Sequence, residues 1–365
     1  VLLNAGIVAQ VEHTIGHTSA EMKLFTDGEV EPSTNVVTQV VEVANEFQPD
    51  LFVAVGGGSN MDLAKAALAS LRTKLDAEQL FGFDNVPPPA SKRSPALVCV
   101  PTTAGTGSEV THSAILTNAT TGKKAAILSQ RIRPEIAIVD PRLTLSCPPK
   151  VTAESGIDAL THAIEAFLVT NFYSFMENLS EGLPYEGNHP LGDLYAEKAI
   201  SLIGANLPRA FEEPDDLAAR SAMAFAATLA GAAFSSCGVS LAHALEYPIG
   251  SAYKCSHGIG NAIVLPAVMR YWMEERASRL AKIAALLGVA EAEQMSKEEA
   301  AEAGVRRVEE LRKSIGLPTR LSEVGGTSED IDALAATSMS LQRLLDLSPK
   351  TPTIEDTRKM LKASM

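Results

Sequence analysis

The proline pair Pro148 and Pro149 separates two textures in this 365-residue chain. Ahead of it, short β-rich runs alternate with helical patterns. MKLFT at 22–26 reads as a strand, Val36 to Phe47 as a helix after the turn EPST, LFVAV at 51–55 as a buried strand, and Met61 to Leu71 as a second helix. A Pro-, Ser- and Asn-rich loop over Phe83 to Pro95 leads back to the sheet at ALVCV, 96–100. AILTN and KKAAILS then flank the turn ATTG as a hairpin, and IAIVD at 136–140 closes this half. The alternation predicts βαβ units, and so an α/β nucleotide-binding domain with a doubly wound, mostly parallel sheet over residues 1–148. From Val151 onward there are only long Ala- and Leu-rich helical stretches, broken by turns such as EGLPYEGNHPLG and EEPDD. They predict an all-α domain over residues 149–365.

Length agrees with two cores rather than one. An apolar share of 46% with 21% charged residues is that of a globular protein with little room for disorder. A net charge of −13 argues against a nucleic-acid partner, since phosphate backbones need a basic surface, and leaves any anionic ligand to be held by local dipoles. Cys99, Cys147, Cys237 and Cys255 show no CxxC spacing, which points to neither a disulfide framework nor a thiolate zinc site and fits a reducing cytoplasm. The most apolar stretch, Ala222 to Leu245, consists largely of Ala, Ser and Gly and reads as one buried helix rather than a membrane span. No charged-then-apolar leader opens the sequence, so no signal peptide is expected.

Two groups of residues carry chemistry. Asp158 and His162 stand four apart in a helical pattern and so project from one helix face, and His243 and His257 follow about eighty residues on. Carboxylate and imidazole together suit a first-row divalent metal, and three of the seven histidines fall in this set. The spacing also fits core histidines bonded to carbonyls and an ordinary helix-surface pair, so it leaves both readings open. The second group is Gly56, Gly57 and Gly58, which follow a strand and enter a helix that Ser59 is placed to cap, with Asp62 completing a capping box. Such a turn lets backbone amides approach a pyrophosphate at a helix N-terminus, although GGGS alone also marks a tight turn. PTTAGTG at 101–107 reads either as a flexible loop or as a ligand loop at a strand's C-terminal end. The glycine turn falls in the first domain and the metal candidates in the second, so the chemistry is expected in a cleft between them.

Four words, GGGSNMDLAKA, PTTAGTGSEVT, GIDALTHAIEAF and AHALEYPIGSAYKCSHGIGNAIVLP, occur in an order and spacing that resemble the iron-containing alcohol dehydrogenases of the dehydroquinate-synthase-like fold, and the likeness runs along the whole chain. The resemblance implies that Asp158, His162, His243 and His257 are the metal ligands, for Fe(II) first and Zn(II) or another divalent metal otherwise. It implies that Gly57, Gly58 and Ser59 hold the pyrophosphate of NAD or NADP, that Thr102, Thr103 and Thr106 line the cofactor pocket, and that Lys124 reaches toward it. The family opens with a strand and an acidic turn at the adenosine ribose, which are expected ahead of Val1. A homodimer in the cytoplasm is also implied, acting on a small alcohol or aldehyde, with no membrane partner.

The implied chemistry is hydride exchange between an alcohol and a nicotinamide, assisted by the metal as a Lewis acid. Glu165, three residues after His162, is placed either to orient that ligand or to sit on the helix surface. Many family members carry a second histidine where this chain has Tyr247, here a candidate proton relay with an ordinary pKa near 10. A tyrosine there, with NHPLGD at 188–193, also resembles the hydroxyacid-oxoacid transhydrogenase branch, which makes a hydroxy acid the alternative substrate. A nucleotide-binding protein without catalysis is disfavoured by the complete ligand set, and a lyase resembling dehydroquinate synthase by the DALTHAIEA word.

Overall fold

The computed structural model describes residues 2–91, 94–174 and 184–365. Residues 92–93 of the expected loop and 181–183 of EGLPYEGNHPLG lie outside the described residues. The chain forms two compact units, Val1–Thr103 with Ser108–Cys147, and Ala104–Gly107 with Pro148–Met365.

The first unit runs α1 (Ile7–Gly16), α2 (Thr34–Phe47), β1 (Leu51–Gly56), α3 (Gly58–Thr73), β2 (Gly82–Phe83), β3 (Ala96–Pro101), β4 (Ser113–Thr117), β5 (Lys124–Leu128) and β6 (Ile136–Ala137). β1, β3 and β6 form a parallel sheet in the order β1-β3-β6, and β2, β5 and β4 form a second sheet in which β4 and β5 make the expected hairpin. Helix α3 serves both sheets. Its Met61 and Leu68 cluster with Leu97 and Cys99, while Leu63, Ala66 and Ala67 cluster with Leu116 and Ile127. A helix used on two sides has to be apolar nearly all round.

One charge is nevertheless buried on α3. The Lys65 ammonium donates to Ser108 Oγ at 2.8 Å, Thr111 Oγ1 at 2.9 Å and the Ser113 carbonyl at 2.9 Å, using all three of its protons. Asp62 beside it accepts from Ser108 Oγ at 2.6 Å and from the Ile115 amide at 2.9 Å. These bonds offset the desolvation of both groups and fix the 108–115 segment on the helix.

The strand expected at 22–26 does not form. Met22 and Leu24 are exposed there, and among the described residues no strand pairs with them. β-propensity without a ladder leaves the backbone groups to water.

The second unit contains α4 (Pro149–Leu168), α5 (Pro190–Glu212), α6 (Leu217–Cys237), α7 (Leu241–Tyr253), α8 (His257–Tyr271), α9 (Met273–Leu286), α10 (Lys297–Ser314), α11 (Ile331–Met339), α12 (Gln342–Leu345) and α13 (Ile354–Ala363). Helix α4 is its axis, with every residue from Gly156 to Leu168 buried. The single helix expected over Ala222 to Leu245 is two. It breaks at Gly238, whose φ of 91° is open to glycine, and where a Cβ would lie 2.4 Å from Leu347 Cδ1. Gly231, one of the same small residues, stays helical and makes room for Gly107, whose added Cβ would meet its Cα at 2.5 Å. Composition alone does not separate a packing glycine from a breaking one. Helix α6 is long and apolar enough to cross a membrane, but 56% of its most apolar window is buried within this unit.

Helix α8 contains Pro266, which has no N–H to offer the Ala262 carbonyl one turn earlier. Arg312 of α10 supplies the donor instead, its Nη1 lying 2.6 Å from the Ala262 oxygen and 3.1 Å from that of Ile263. Arg312→Met is expected to cost about 1–3 kcal/mol, the penalty of an orphaned buried carbonyl. In the Pro266→Ala background the cost should shrink, because a restored amide takes over Ala262. Urea unfolding of the four proteins measures this, and equal losses in both backgrounds would refute the pairing.

Candidate metal centre and phosphate turn

Asp158 and His162 lie one turn apart on the buried face of α4, with His162 Nε2 3.9 Å from Asp158 Oδ1. His243 stands in the first turn of α7, and His257 is the first residue of α8, whose cap, Ser256, accepts the Ile259 amide. One ligand atom from each of Asp158, His162, His243 and His257 lies within 4.8 Å of all the others. The imidazole centroids of His162 and His243 are 4.9 Å apart, and those of His243 and His257 5.0 Å. His162 also stacks on Phe234 at 4.4 Å.

Two carboxylates aim the imidazoles. Glu165 sends Oε2 to within 2.5 Å of His243 Nδ1, and its Oε1 accepts the Ala242 amide at 2.7 Å. Glu165 therefore orients His243 and not His162, the neighbour expected from spacing, because the i+3 position on α4 faces the N-terminus of α7. Glu246 on α7 does the same for His257 Nδ1. With Nδ1 engaged as donor, Nε2 presents its lone pair, and that of His243 is buried without a hydrogen-bond partner. A ring of acceptor atoms with an orphaned, buried imidazole nitrogen is what a divalent cation completes, so the residues present fit the metal that their chemistry implies. Asn261 Nδ2 donates to Asp158 Oδ1 at 2.9 Å, holding the carboxylate toward the cluster.

Tyr247 lies beside this cluster, its ring centroid 5.9 Å from that of His257 and 6.4 Å from that of His243. Burial pushes its phenol up to about 12, so it is a neutral O–H at physiological pH and a donor rather than a base. The Arg343 guanidinium offsets part of that upward shift.

In the first unit the glycine turn joins β1 to α3. Gly56 has φ 151°, and a Cβ there would lie 2.3 Å from Asn60 Nδ2. Gly57 has an ordinary extended backbone, φ −78° and ψ −173°, and an added Cβ would come within 3.3 Å of Thr103 Oγ1. The conformational need for glycine therefore falls on Gly56, and Gly57 is needed only for space. Gly57 is the N-cap of α3 and Gly58 its first residue. The capping box expected from Ser59 and Asp62 is absent, since Ser59 Oγ donates to the Val30 carbonyl and Asp62 is committed to Ser108 and Ile115. No side chain caps α3, so its first-turn amides are left for a ligand.

Thr102 is buried, its amide bonded to the Gly56 carbonyl at 2.9 Å, and Thr103 faces Gly57. Gly57, Gly58, Ser59, Thr102 and Thr103 thus meet at the C-terminal ends of β1 and β3. Thr106 falls in the four-residue stretch that groups with the helical unit, where Gly105 approaches Ser155. Lys124 opens β5 of the second sheet and pairs with Glu31 at 2.7 Å.

The α/β unit thus offers an uncapped helix start to an anionic ligand, and the helical unit an Asp-His-His-His cluster to a divalent metal. The sequence pattern of the family described as iron-containing alcohol dehydrogenase matches residues 1–141, and that of the Fe-containing alcohol dehydrogenase family, C-terminal, matches residues 152–365. The chain is 31% identical over 366 residues to an NAD-dependent methanol dehydrogenase from Bacillus methanolicus, covering 100% of this chain and 90% of the relative. It is 33% identical over 383 residues to a mitochondrial hydroxyacid-oxoacid transhydrogenase from Xenopus laevis, covering 98% and 81%. A solved structure of 1,3-propanediol oxidoreductase superposes with a TM-score of 0.90 at 31% identity, covering 99% of this chain and 88% of the other. The chain belongs to the iron-containing alcohol dehydrogenase family. It is an oxidoreductase that transfers hydride between a nicotinamide cofactor and an alcohol–carbonyl pair.

Sequence reasoning missed Glu246 and Asn261. Glu246 follows His243 at i+3 just as Glu165 follows His162, and that repetition was the available signal. Asn261 stands at i+4 from His257.

Burial pushes His162 down to about 3 from an ordinary 6.5, outweighing the pull of Asp158. Burial would raise Asp158, but His162, His257, His243 and the Asn261 bond together hold it below its ordinary range. In metal-free protein the unfolded chain accepts a proton that folded His162 refuses. Its contribution to stability is fully present above about 6.5 and is lost as pH falls from there toward 3. Asp158 adds loss only below the ordinary carboxylate value of 3.8. Melting of metal-free protein is expected to fall steadily as pH drops from neutrality toward the carboxylate range, and His162→Asn to flatten that slope. An unchanged slope in the variant would contradict the assignment.

Proposed function

We propose that Asp158, His162, His243 and His257 hold one divalent metal, Fe(II) in preference and Zn(II) or another divalent ion in its place, and that NAD or NADP binds with its pyrophosphate at Gly57, Gly58 and Ser59. The observation that carries this reading is the four-residue cluster, buried at Asp158, His162 and His243 and half-buried at His257, with two imidazoles already aimed by Glu165 and Glu246. When bound, the metal supplies Lewis-acid polarisation of an alcohol or carbonyl oxygen, and the nicotinamide accepts or donates the hydride.

The chain's own residues supply the setting. Glu165 and Glu246 fix the tautomers of His243 and His257, so these two imidazoles are already oriented for a metal. Thr102, Thr103 and Thr106 stand on the loop that follows β3, in support of a cofactor-lining role, and Lys124 reaches the cofactor by exchanging its Glu31 partner. Tyr247, neutral because it is buried, passes a proton by donating its O–H while receiving another, rather than by ionising. The substrate is a small alcohol or aldehyde, and the enzyme works in the cytoplasm as a homodimer.

Protein loaded with Fe(II) or Zn(II) is expected to reduce NAD or NADP with short alcohols, diols or hydroxy acids, followed by nicotinamide absorbance. His243→Ala and His257→Ala should each lose metal and turnover while retaining cofactor binding. Wild-type metal content and rate in both variants would overturn the ligand assignment.

A second reading is favoured by the transhydrogenase relative and by Tyr247: hydride passes from a hydroxy acid to an oxo acid on a cofactor that stays bound. Mixing 4-hydroxybutyrate with 2-oxoglutarate in the absence of free NAD separates the two, since only a transhydrogenase turns over.

A further inference from the structure

Four histidines lie outside the metal cluster. His112 is buried, and His189 caps α5, its Nδ1 accepting the Gly192 amide at 3.2 Å. His13 and His17 are both exposed, four positions apart at the end of α1, with their Nε2 atoms 3.1 Å from each other. Their ring centroids are 4.5 Å apart and the planes cross at 78°, so the rings do not stack but turn the same nitrogen toward one point. With a proton between them the pair is an exposed hydrogen bond, which water would satisfy equally well for either ring.

The separation is also the bite of a chelate. Two metal–imidazole bonds of about 2.0–2.1 Å, meeting at a square or tetrahedral angle, hold their nitrogens about 2.8–3.4 Å apart. Moving one proton from Nε2 to Nδ1 of the same ring exposes both Nε2 lone pairs and releases no proton. The position favours a cation as well. His13 is in the last turn of α1 and His17 is its C-cap, at the negative end of the helix dipole, and the net charge of −13 draws cations to the surface.

Helix α1 has little else to hold that end. Ten residues are short for an unsupported helix, and among them Ile7 alone is buried, clustering with Val98, Val100 and Leu143 at the start of the helix. The far end has local bonds only, from Thr14 Oγ1 to the Gln10 carbonyl at 2.8 Å and from Thr18 Oγ1 to the Ile15 carbonyl at 2.6 Å. An ion bridging positions i and i+4 closes one helical turn there.

We propose that His13 and His17 form a second metal site, a peripheral clip for one imidazole-seeking divalent ion such as Zn(II), Ni(II) or Cu(II), which fastens the C-terminal turn of α1. Water completes the coordination, so the ion exchanges readily and is held less tightly than by a set of four protein ligands. Mg(II) and Ca(II), which take oxygen ligands, do not suit the donor pair. The clip shares no residue with the Asp158 cluster and does not depend on the reaction proposed above.

The test uses holoenzyme whose central cluster is first filled with Zn(II) and freed of excess by gel filtration. Calorimetric titration with further Zn(II) is expected to show one more site per chain, and with Mg(II) none. His13→Asn and His17→Asn should each weaken that site about tenfold or more, since loss of either ring removes the chelate, and should leave turnover unchanged. Combining His17→Asn with Thr18→His keeps two imidazoles but moves one off the helix face, and this protein should bind no better than the single variants. Hydrogen exchange of residues 7–18 should slow about threefold on adding Zn(II), in wild type alone. Equal Zn(II) affinity in wild type and single variants, undiminished binding by the displaced pair, or exchange of α1 indifferent to Zn(II) overturns the proposal.

Discussion

The geometry of the metal cluster depends on one fully buried carboxylate. Glu165 sits on α4, the axis of the helical unit, and commits both oxygens to α7: one to the Ala242 amide in the first turn, the other to His243 Nδ1. A carboxylate without water is costly, and these bonds, with the partial positive charge of a helix start, offset that cost. The same helix thus carries Asp158 and His162 and aims the ligand of its neighbour. Glu246 repeats the device from α7 to His257 at the start of α8. Each helix orients the ligand on the next, so the three ligand-bearing helices keep their mutual setting without leaning on the metal to impose it.

Much of this was legible in the sequence because it rests on periodicity. The i, i+4 spacing of Asp158 and His162 survives folding because a helix fixes the direction of its own side chains. LFVAV, ALVCV and the hairpin around ATTG became strands because each found a partner in the same unit. Where a feature depends on a partner distant in sequence, local pattern failed. MKLFT has the composition of a strand and no ladder, and Glu165 has a histidine three residues away but bonds one that is seventy-eight residues away. Gly238 breaks a helix that Gly231 does not, and the difference lies in Leu347 and Tyr185, which no window around position 238 contains.

The phosphate turn shows the same division. Strand, glycines and helix were readable, but the assignment of roles within them was not. Gly56 carries the backbone constraint, and the absence of a side-chain cap follows from Asp62 being drawn to the 108–115 segment together with Lys65. The carboxylate that local pattern would spend on the helix start is used to fasten a loop. A helix start deprived of its own anion is left able to accept a foreign one.

Pro266 and Arg312 have a consequence for how the molecule is made. Helix α8 begins with His257 and carries in its middle a proline whose missing donor is supplied from α10, some fifty positions later in the chain. During synthesis from the N-terminus, Asp158, His162, His243 and His257 all exist before that donor does. Until Arg312 emerges, the helix bearing the last ligand holds an unsatisfied carbonyl among apolar neighbours, and its docked form competes poorly with looser ones. The order of the chain therefore defers a rigid ligand set until the helical unit is nearly complete, which limits the time that a half-built cluster can spend gripping whatever cation arrives first.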